Sequence, residues 1–295
     1  MDRKDFIKTI GLTTISVPIM AHLNKLDRFT DSFKNSERMP ALFLGHGSPM
    51  NAIEDNEFVR KFKQLGNQLE KPNAILVVSA HWETRGTFVT AMEQPRTIHD
   101  FGGFPPALYR EQYPAPGSPG LAKEVSELVQ PQHTVGLDEQ WGLDHGAWTV
   151  VKHLFPAADV PVIQLSLDFT RPAAYHYALA QQLKKLRNKG VLIIGSGNII
   201  HNLRRVAWDK LSENYAFDWA IEANDQIKKW LLDGDHQNLI DFKKHGTAFD
   251  LAIPTPEHYL PLLYTMALQD KNEELTLFND KPLGGSLSMT SVKLG

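Results

Sequence analysis

Short apolar runs that stop abruptly at Gly, Ser or Pro alternate along this chain with longer segments whose apolar residues recur every three or four positions. Ala41–Leu44 runs into Gly45-His46-Gly47-Ser48-Pro49, Ala74–Val78 into Ser79-Ala80-His81-Trp82, and Val191–Ile194 into Gly195-Ser196-Gly197 ahead of His201. Such runs are too short for helices and apolar on both faces, as buried strands are. Between the first two, Phe58, Phe62, Leu65 and Leu69 fall on one helical face. Further strands are predicted at Thr87–Met92 and Val160–Leu167, with Pro161 at the start of the latter, where a missing donor is tolerated. Helices are predicted at Leu121–Val129, after the turn Trp141–Trp148 as far as Phe155, at Ala173–Leu186 with Gly190 as the stop, and at Phe217–Leu232. A last helix is predicted at Pro256–Ala267, with Thr255 as N-cap and Pro256 in the first position. The alternation predicts a single α/β domain with a central, mostly parallel sheet flanked by helices. Its site is expected where the strands end, at the sheet edge.

Residues 1–38 follow no such pattern. A basic start, an apolar stretch from Ile10 to Met20 broken by Thr13, Thr14, Ser16 and Pro18, and a polar linker from Asn24 to Arg38 place the start of the folded domain at Met39, which then runs to Gly295. Arg3-Lys4-Asp5-Phe6-Ile7-Lys8 is similar to a degenerate twin-arginine export signal, with Lys4 at the second arginine position. The other reading is an amphipathic helix without a targeting role. Location is accordingly cytoplasmic, or periplasmic if the signal works. The stretch is too short and too polar to span a bilayer.

Composition narrows the chemistry. With 42% hydrophobic and 22% charged residues the 295-residue chain is of ordinary globular type. A formal net charge of −3 without a Lys/Arg run excludes a nucleic-acid footprint. There is no cysteine, so thiolate nucleophiles, zinc ribbons and iron–sulfur clusters are excluded together, and a metal would need His, Asp or Glu. Twelve histidines are present, and those that end apolar runs stand out. His46 and His81 each follow a strand candidate, and His258 adjoins Glu257 within Pro254-Thr255-Pro256-Glu257-His258-Tyr259. His201 is either a fourth ligand or the acid/base, for which an unperturbed imidazole is well placed. His145, between Asp144 and Gly146, points to the same cleft. His99 sits in a long loop with Phe101, Phe104, Tyr109 and Tyr113, and either lines the site or orders the loop. His22, His133, His153, His176, His236 and His245 lie in polar or helical contexts and read as structural.

Two other signals are weak. Gly195-Ser196-Gly197-Asn198-Ile199-Ile200 follows a strand but has Ile200 where a dinucleotide fingerprint needs its third glycine. Ser48 lacks the G-x-S-x-G frame of a hydrolase nucleophile.

Six separated motifs carry a resemblance. Gly45-His-Gly-Ser-Pro-Met50, Ser79-Ala-His-Trp82, Ile98-His-Asp-Phe-Gly-Gly-Phe-Pro105, Trp141-Gly-Leu-Asp-His-Gly146, Ser196-Gly-Asn-Ile-Ile-His-Asn-Leu203 and Pro254-Thr-Pro-Glu-His-Tyr-Leu-Pro261 stand in the order found in the bacterial 4,5-DOPA extradiol dioxygenases. The chain from about Met39 onward, including Gly284–Met289, resembles that branch of the class III, LigB-type ring-cleavage enzymes. The resemblance implies one α/β domain with a divalent metal, Fe(II) or Zn(II), in a cleft at the sheet edge, and a small aromatic diol and O2 as substrates. It implies His46 and His81 as ligands, His258 as a further ligand, His201 as a ligand or acid/base, and His145 as a group beside substrate and oxygen. Iron enzymes of the wider class resemble a facial set of two histidines and a carboxylate. Here His258, with Glu257 adjacent, makes an all-histidine site the expectation, and zinc accepts such a site as well. A zinc hydrolase, or a non-catalytic ligand-binding protein on the same fold, are the competing readings. Oligomeric state is left open by the sequence.

Overall fold

The structure, a computed structural model, describes residues 32–33, 37–211 and 213–295. The export-signal motif lies outside them. Eight strands form one sheet: β1 (Ala41–Gly45), β2 (Ala74–Thr84), β3 (Thr87–Thr90), β4 (Val135–Asp138), β5 (Val162–Asp168), β6 (Val191–Gly197), β7 (Leu275–Phe278) and β10 (Ser291–Leu294). Their order is β4-β3-β5-β2-β6-β1-β10-β7, and a two-stranded ribbon, β8 (Pro282–Leu283) with β9 (Leu287–Ser288), lies apart. The four central strands are parallel, pairing β5 with β2, β2 with β6 and β6 with β1. Antiparallel pairs join β3 to β5 and β10 to β1, so the flanks reverse direction while the middle keeps it.

The apolar runs predict this middle because both faces of each strand are covered. Along β2, Ala74, Leu76 and Val78 enter one core while Ile75 and Val77 enter the other. The first core lies under α3 (Pro119–Leu128), α5 (Ala173–Leu183), α6 (Asp218–Asp233), α7 (His236–Ile240), α8 (Thr247–Ala252) and α9 (Leu260–Ala267). The second lies under α1 (Glu57–Gln68) and α4 (His145–Leu154), with the short α2 (Pro106–Tyr109) closing its end. Trp148, at 0% exposure, anchors α4 in that second core. Among the described residues no helix is long and apolar enough to cross a membrane.

The sequence-based elements hold, with three differences that bear on function. β2 runs on to Thr84, so His81 lies inside the strand rather than after it. Its pairing with β5 shifts register between Val78 and Glu83, an irregularity of the kind that re-aims side chains at sites. The last long helix starts at Leu260 instead of Pro256, with Tyr259 as its cap residue, and Thr255 Oγ1 donates to Glu257 Oε1 rather than capping. Pro261 explains this: proline is at home in a first helical turn and biases the chain before it away from helix. Residues 254–259 thereby remain in turns, which frees His258. The third difference is the C-terminal set β7 to β10, for which the pattern gives no strong signal because β7 is only half-buried.

Candidate metal centre

The carboxyl ends of β1, β2 and β6 open side by side, and each delivers part of one histidine cluster. His46 follows β1 directly, its N–H bonded to Gly197 O at 3.0 Å, and Asn51 Nδ2 donates to its carbonyl at 2.8 Å. His81 rises from the irregular part of β2. His258 is brought in by the turn before α9, where Asn198 N–H donates to its carbonyl at 2.9 Å. A Cβ at Gly197 would collide with that carbonyl, so the strand end and the turn approach closely only because position 197 is glycine. His201 is held by its N–H to Ala252 O at 2.9 Å. His145 is the first residue of α4.

The rings converge. His46 lies 5.0 Å from His81 and 5.3 Å from His258, centroid to centroid, and His81 lies 5.0 Å from His258. His145 is 3.9 Å from His81 and 5.8 Å from His46. His201 stacks on His258 at 3.5 Å with the planes 8° apart. In terms of ligating atoms, His46, His81 and His145 form one group within 4.8 Å, and His201, Glu257 and His258 another. All five histidines expected at the site are therefore there. His145 stands closer to the first pair than its expected place beside the substrate suggests.

Three oxygen acceptors decide where the imidazole protons sit. Ser196 Oγ donates its own proton to Gly146 O, so it accepts from His46 Nδ1 at 3.0 Å and leaves a lone pair on His46 Nε2. Asp100 Oδ2 accepts from His145 Nδ1 at 2.9 Å, and Glu257 Oε1 lies 3.2 Å from His258 Nδ1. His46 Nε2 faces His81 Nε2 at 3.2 Å. Nitrogens bound to one ion at about 2.0–2.1 Å stand roughly 3 Å apart, so this pair fits a divalent ion. Nδ1 protons held by oxygen acceptors, with Nε2 atoms turned inward, are the arrangement that metal-ligating histidines adopt.

Electrostatics agree. Burial, and then the neighbouring imidazoles, hold His46 and His258 well below the ordinary histidine range. Burial with His145 brings His81 to about 3, and burial brings His201 to about 4. At neutral pH these imidazoles are lone-pair donors ready for a metal. Burial pushes the Asp100 carboxyl up, but the hydrogen bonds and charge of His145 outweigh it and keep the group below the usual carboxylate range.

Around the histidines stand groups that the sequence reading does not single out. Asp144 is fully buried and caps α4 through Ala147 N at 3.1 Å. It also accepts from Ser79 Oγ at 2.7 Å and from Gln164 Nε2. Ser79 in turn accepts from His81 N–H at 3.2 Å. For Asp144 and Ser79 the signal is their place inside the histidine motifs, beside His145 and two residues before His81, whereas Gln164 lies outside every motif. Of the expected aromatic wall, Phe101 packs edge-on to His145 at 5.6 Å and Phe104 against Phe101 at 5.4 Å. Trp82, 3% exposed, instead stacks on Trp141 as core. His99 Nε2 donates to Glu111 O, 2.9 Å away, in a loop-ordering role. His153, His176 and His236 bond to Asn51 O, Tyr264 OH and Tyr177 OH, His245 packs on Trp230, and His133 packs on Tyr175. His22 lies outside the described residues.

Comparison with known proteins gives the same picture. The chain is 49% identical over 270 residues to the 4,5-DOPA dioxygenase extradiol of Escherichia coli (strain K12), a match covering 90% of this chain and 98% of that one. It is 37% identical over 256 residues to the 4,5-DOPA dioxygenase extradiol of Beta vulgaris, covering 85% and 94%. A crystal structure of an Escherichia coli K12 protein, described as uncharacterized, superposes with a TM-score of 0.75 at 44% identity, covering 88% of this chain and 100% of that one. The sequence model of the catalytic LigB subunit of aromatic ring-opening dioxygenase matches residues 40–278, which takes in all five clustered histidines. The chain belongs to the LigB family of aromatic ring-opening dioxygenases.

Proposed function

We propose that the protein opens the ring of a catechol such as DOPA by extradiol dioxygenation, with one divalent metal held by His46, His81 and His258 and with O2 as co-substrate. The observation that carries this reading is the pair of facing Nε2 atoms of His46 and His81, 3.2 Å apart, with the His46 proton committed to Ser196 on the other side of its ring. Fe(II), when bound, supplies redox chemistry toward O2 and lowers the pKa of catechol hydroxyls, whereas Zn(II) supplies only the second.

His201 is best suited to move protons. Its ring is parallel to His258 at 3.5 Å, so the in-plane lone pairs of the two run side by side instead of converging on one point. It thus stands off as the base that takes a phenolic proton at a ring nitrogen and returns it during cleavage. Phe101, edge-on to His145, offers an apolar surface to the aromatic ring and excludes water there.

The test is anaerobic reconstitution with Fe(II) or, separately, Zn(II), followed by L-DOPA and air while the absorbance of a yellow ring-opened product is followed. Colour with iron alone is the expected result. No colour with either metal, while both bind tightly, would overturn the reading in favour of a hydrolase or a binding protein.

A further inference from the structure

Asp100 has two contacts that together do more than fill a loop. Its Oδ1 accepts from the backbone N–H of His145 at 2.8 Å and its Oδ2 lies 2.9 Å from the Nδ1 of the same residue. One carboxylate thus grips a single histidine at main chain and ring. The same Oδ2 lies 3.6 Å from His81 Nδ1. The segment that carries Asp100 is itself fixed. Thr97 pairs with Leu143 in a parallel bridge, Ile98 N–H donates to Leu143 O at 2.7 Å, and Trp148 Nε1 donates to Ile98 O at 2.9 Å. Residues 96–100 are therefore stitched to the chain leading into α4, and the aspartate cannot drift from the histidine.

An ionised carboxylate only accepts hydrogen bonds, so the ring nitrogen facing it must carry the proton. The other nitrogen, Nε2, is then bare. From this geometry we infer that Asp100 is a positioning residue that fixes His145 as the Nδ1–H tautomer, so that the site receives a proton acceptor at Nε2 rather than a donor. This rests on the dioxygenase reading for its purpose but not for its content. With the proton held on Nδ1, the Nε2 of His145 accepts a hydrogen bond from a substrate hydroxyl and does not donate one to an oxygen species. Its role beside the substrate is thereby assigned a direction. Because Ser196 makes the same choice for His46, the site has two independent devices that hold the proton on Nδ1 and leave the lone pair on Nε2.

The test uses the full-length, metal-free protein labelled with 15N at histidine, at about pH 8, where imidazoles are ordinarily neutral. Long-range 15N–1H spectra assign the proton to Nδ1 or Nε2, and the His145 signals are identified by their loss in His145→Gln. In wild type the proton is expected on Nδ1. In Asp100→Asn, which keeps the shape but turns an amide N–H toward Nδ1, it is expected on Nε2. In the iron-loaded protein the same variant is expected to lose about 10²-fold in kcat with a smaller change in KM. A wild-type His145 with its proton on Nε2, or an Asp100→Asn protein with the wild-type tautomer, would overturn the inference. Should the variant fail to fold, the wild-type spectrum alone still decides. Absence of ring cleavage with an intact Nδ1–H tautomer would count against the proposed function and leave this assignment standing.

Discussion

Ser196 is a small residue with a large share in the site, because its hydroxyl links the Gly146 carbonyl to the His46 ring. Ser196→Ala leaves His46 free to rotate and to choose its tautomer. Loss of such an outer partner typically weakens metal binding by about 10–100-fold, and calorimetric titration of the metal-free variant with Zn(II) should show a drop of that size. An unchanged affinity would mean that packing alone orients the ring. His201→Ala makes a contrasting case. Turnover should fall by about 10²–10⁴-fold while iron content stays near wild type, and loss of iron from that variant would make His201 a ligand. The histidines themselves are legible in the sequence because each of His46, His81 and His201 follows an apolar run. Their partners are not, since Ser196 lies 150 residues from His46, Asp144 lies 65 from Ser79 and Asp100 lies 45 from His145. No local pattern encodes a bond across such distances.

At the level of elements, the first turn of α4 is the joint of the site. Asp144 binds Ser79 of β2 and Gln164 of β5, His145 binds Asp100, and Gly146 receives the hydroxyl of Ser196 on β6. Three strands and the loop at Asp100 are thus tied to three consecutive residues. Asp144→Ala removes the cap and leaves buried donors on Ser79 and Gln164 without their acceptor. These effects together should cost about 3 kcal/mol, read as a lower urea midpoint at unchanged m-value. A shift under about 0.5 kcal/mol would show that the network is dispensable. Sequence periodicity predicts α4, but not that its N-terminus is a joint. It also places His258 within a helix, whereas Pro261 starts the helix later and leaves the histidine in a turn. The strands of the central four are legible because both faces are buried, and β7 is not because its residues are half-exposed or exposed.

For the whole molecule, buried neutral imidazoles couple stability to pH. His176, fully buried and bonded to Tyr264, is brought by burial to about 4. An unfolded histidine titrates near 6.5, so between these values the unfolded chain holds the extra proton and acid favours unfolding. His81 and His201 act in the same direction. Stability of the metal-free protein should be complete above about pH 6.5 and decline steadily down to about pH 3, as seen in urea midpoints, and a flat profile across that window would contradict the buried neutral state. Metal works against this loss. Zn(II) at about 100 times its Kd should add about 2.7 kcal/mol, visible as a higher Tm that His46→Ala does not show.

β1, which presents His46, is flanked by β6 on one side and β10 on the other. One neighbour arrives some 150 positions later in the chain and the other consists of residues 291–294. On the ribosome, therefore, this apolar strand emerges well before either of its neighbours. Its second edge stays open until residues 291–294 have cleared the exit tunnel. A chain cut short before residue 291 would keep that edge of β1 open, an exposed template for pairing with other chains.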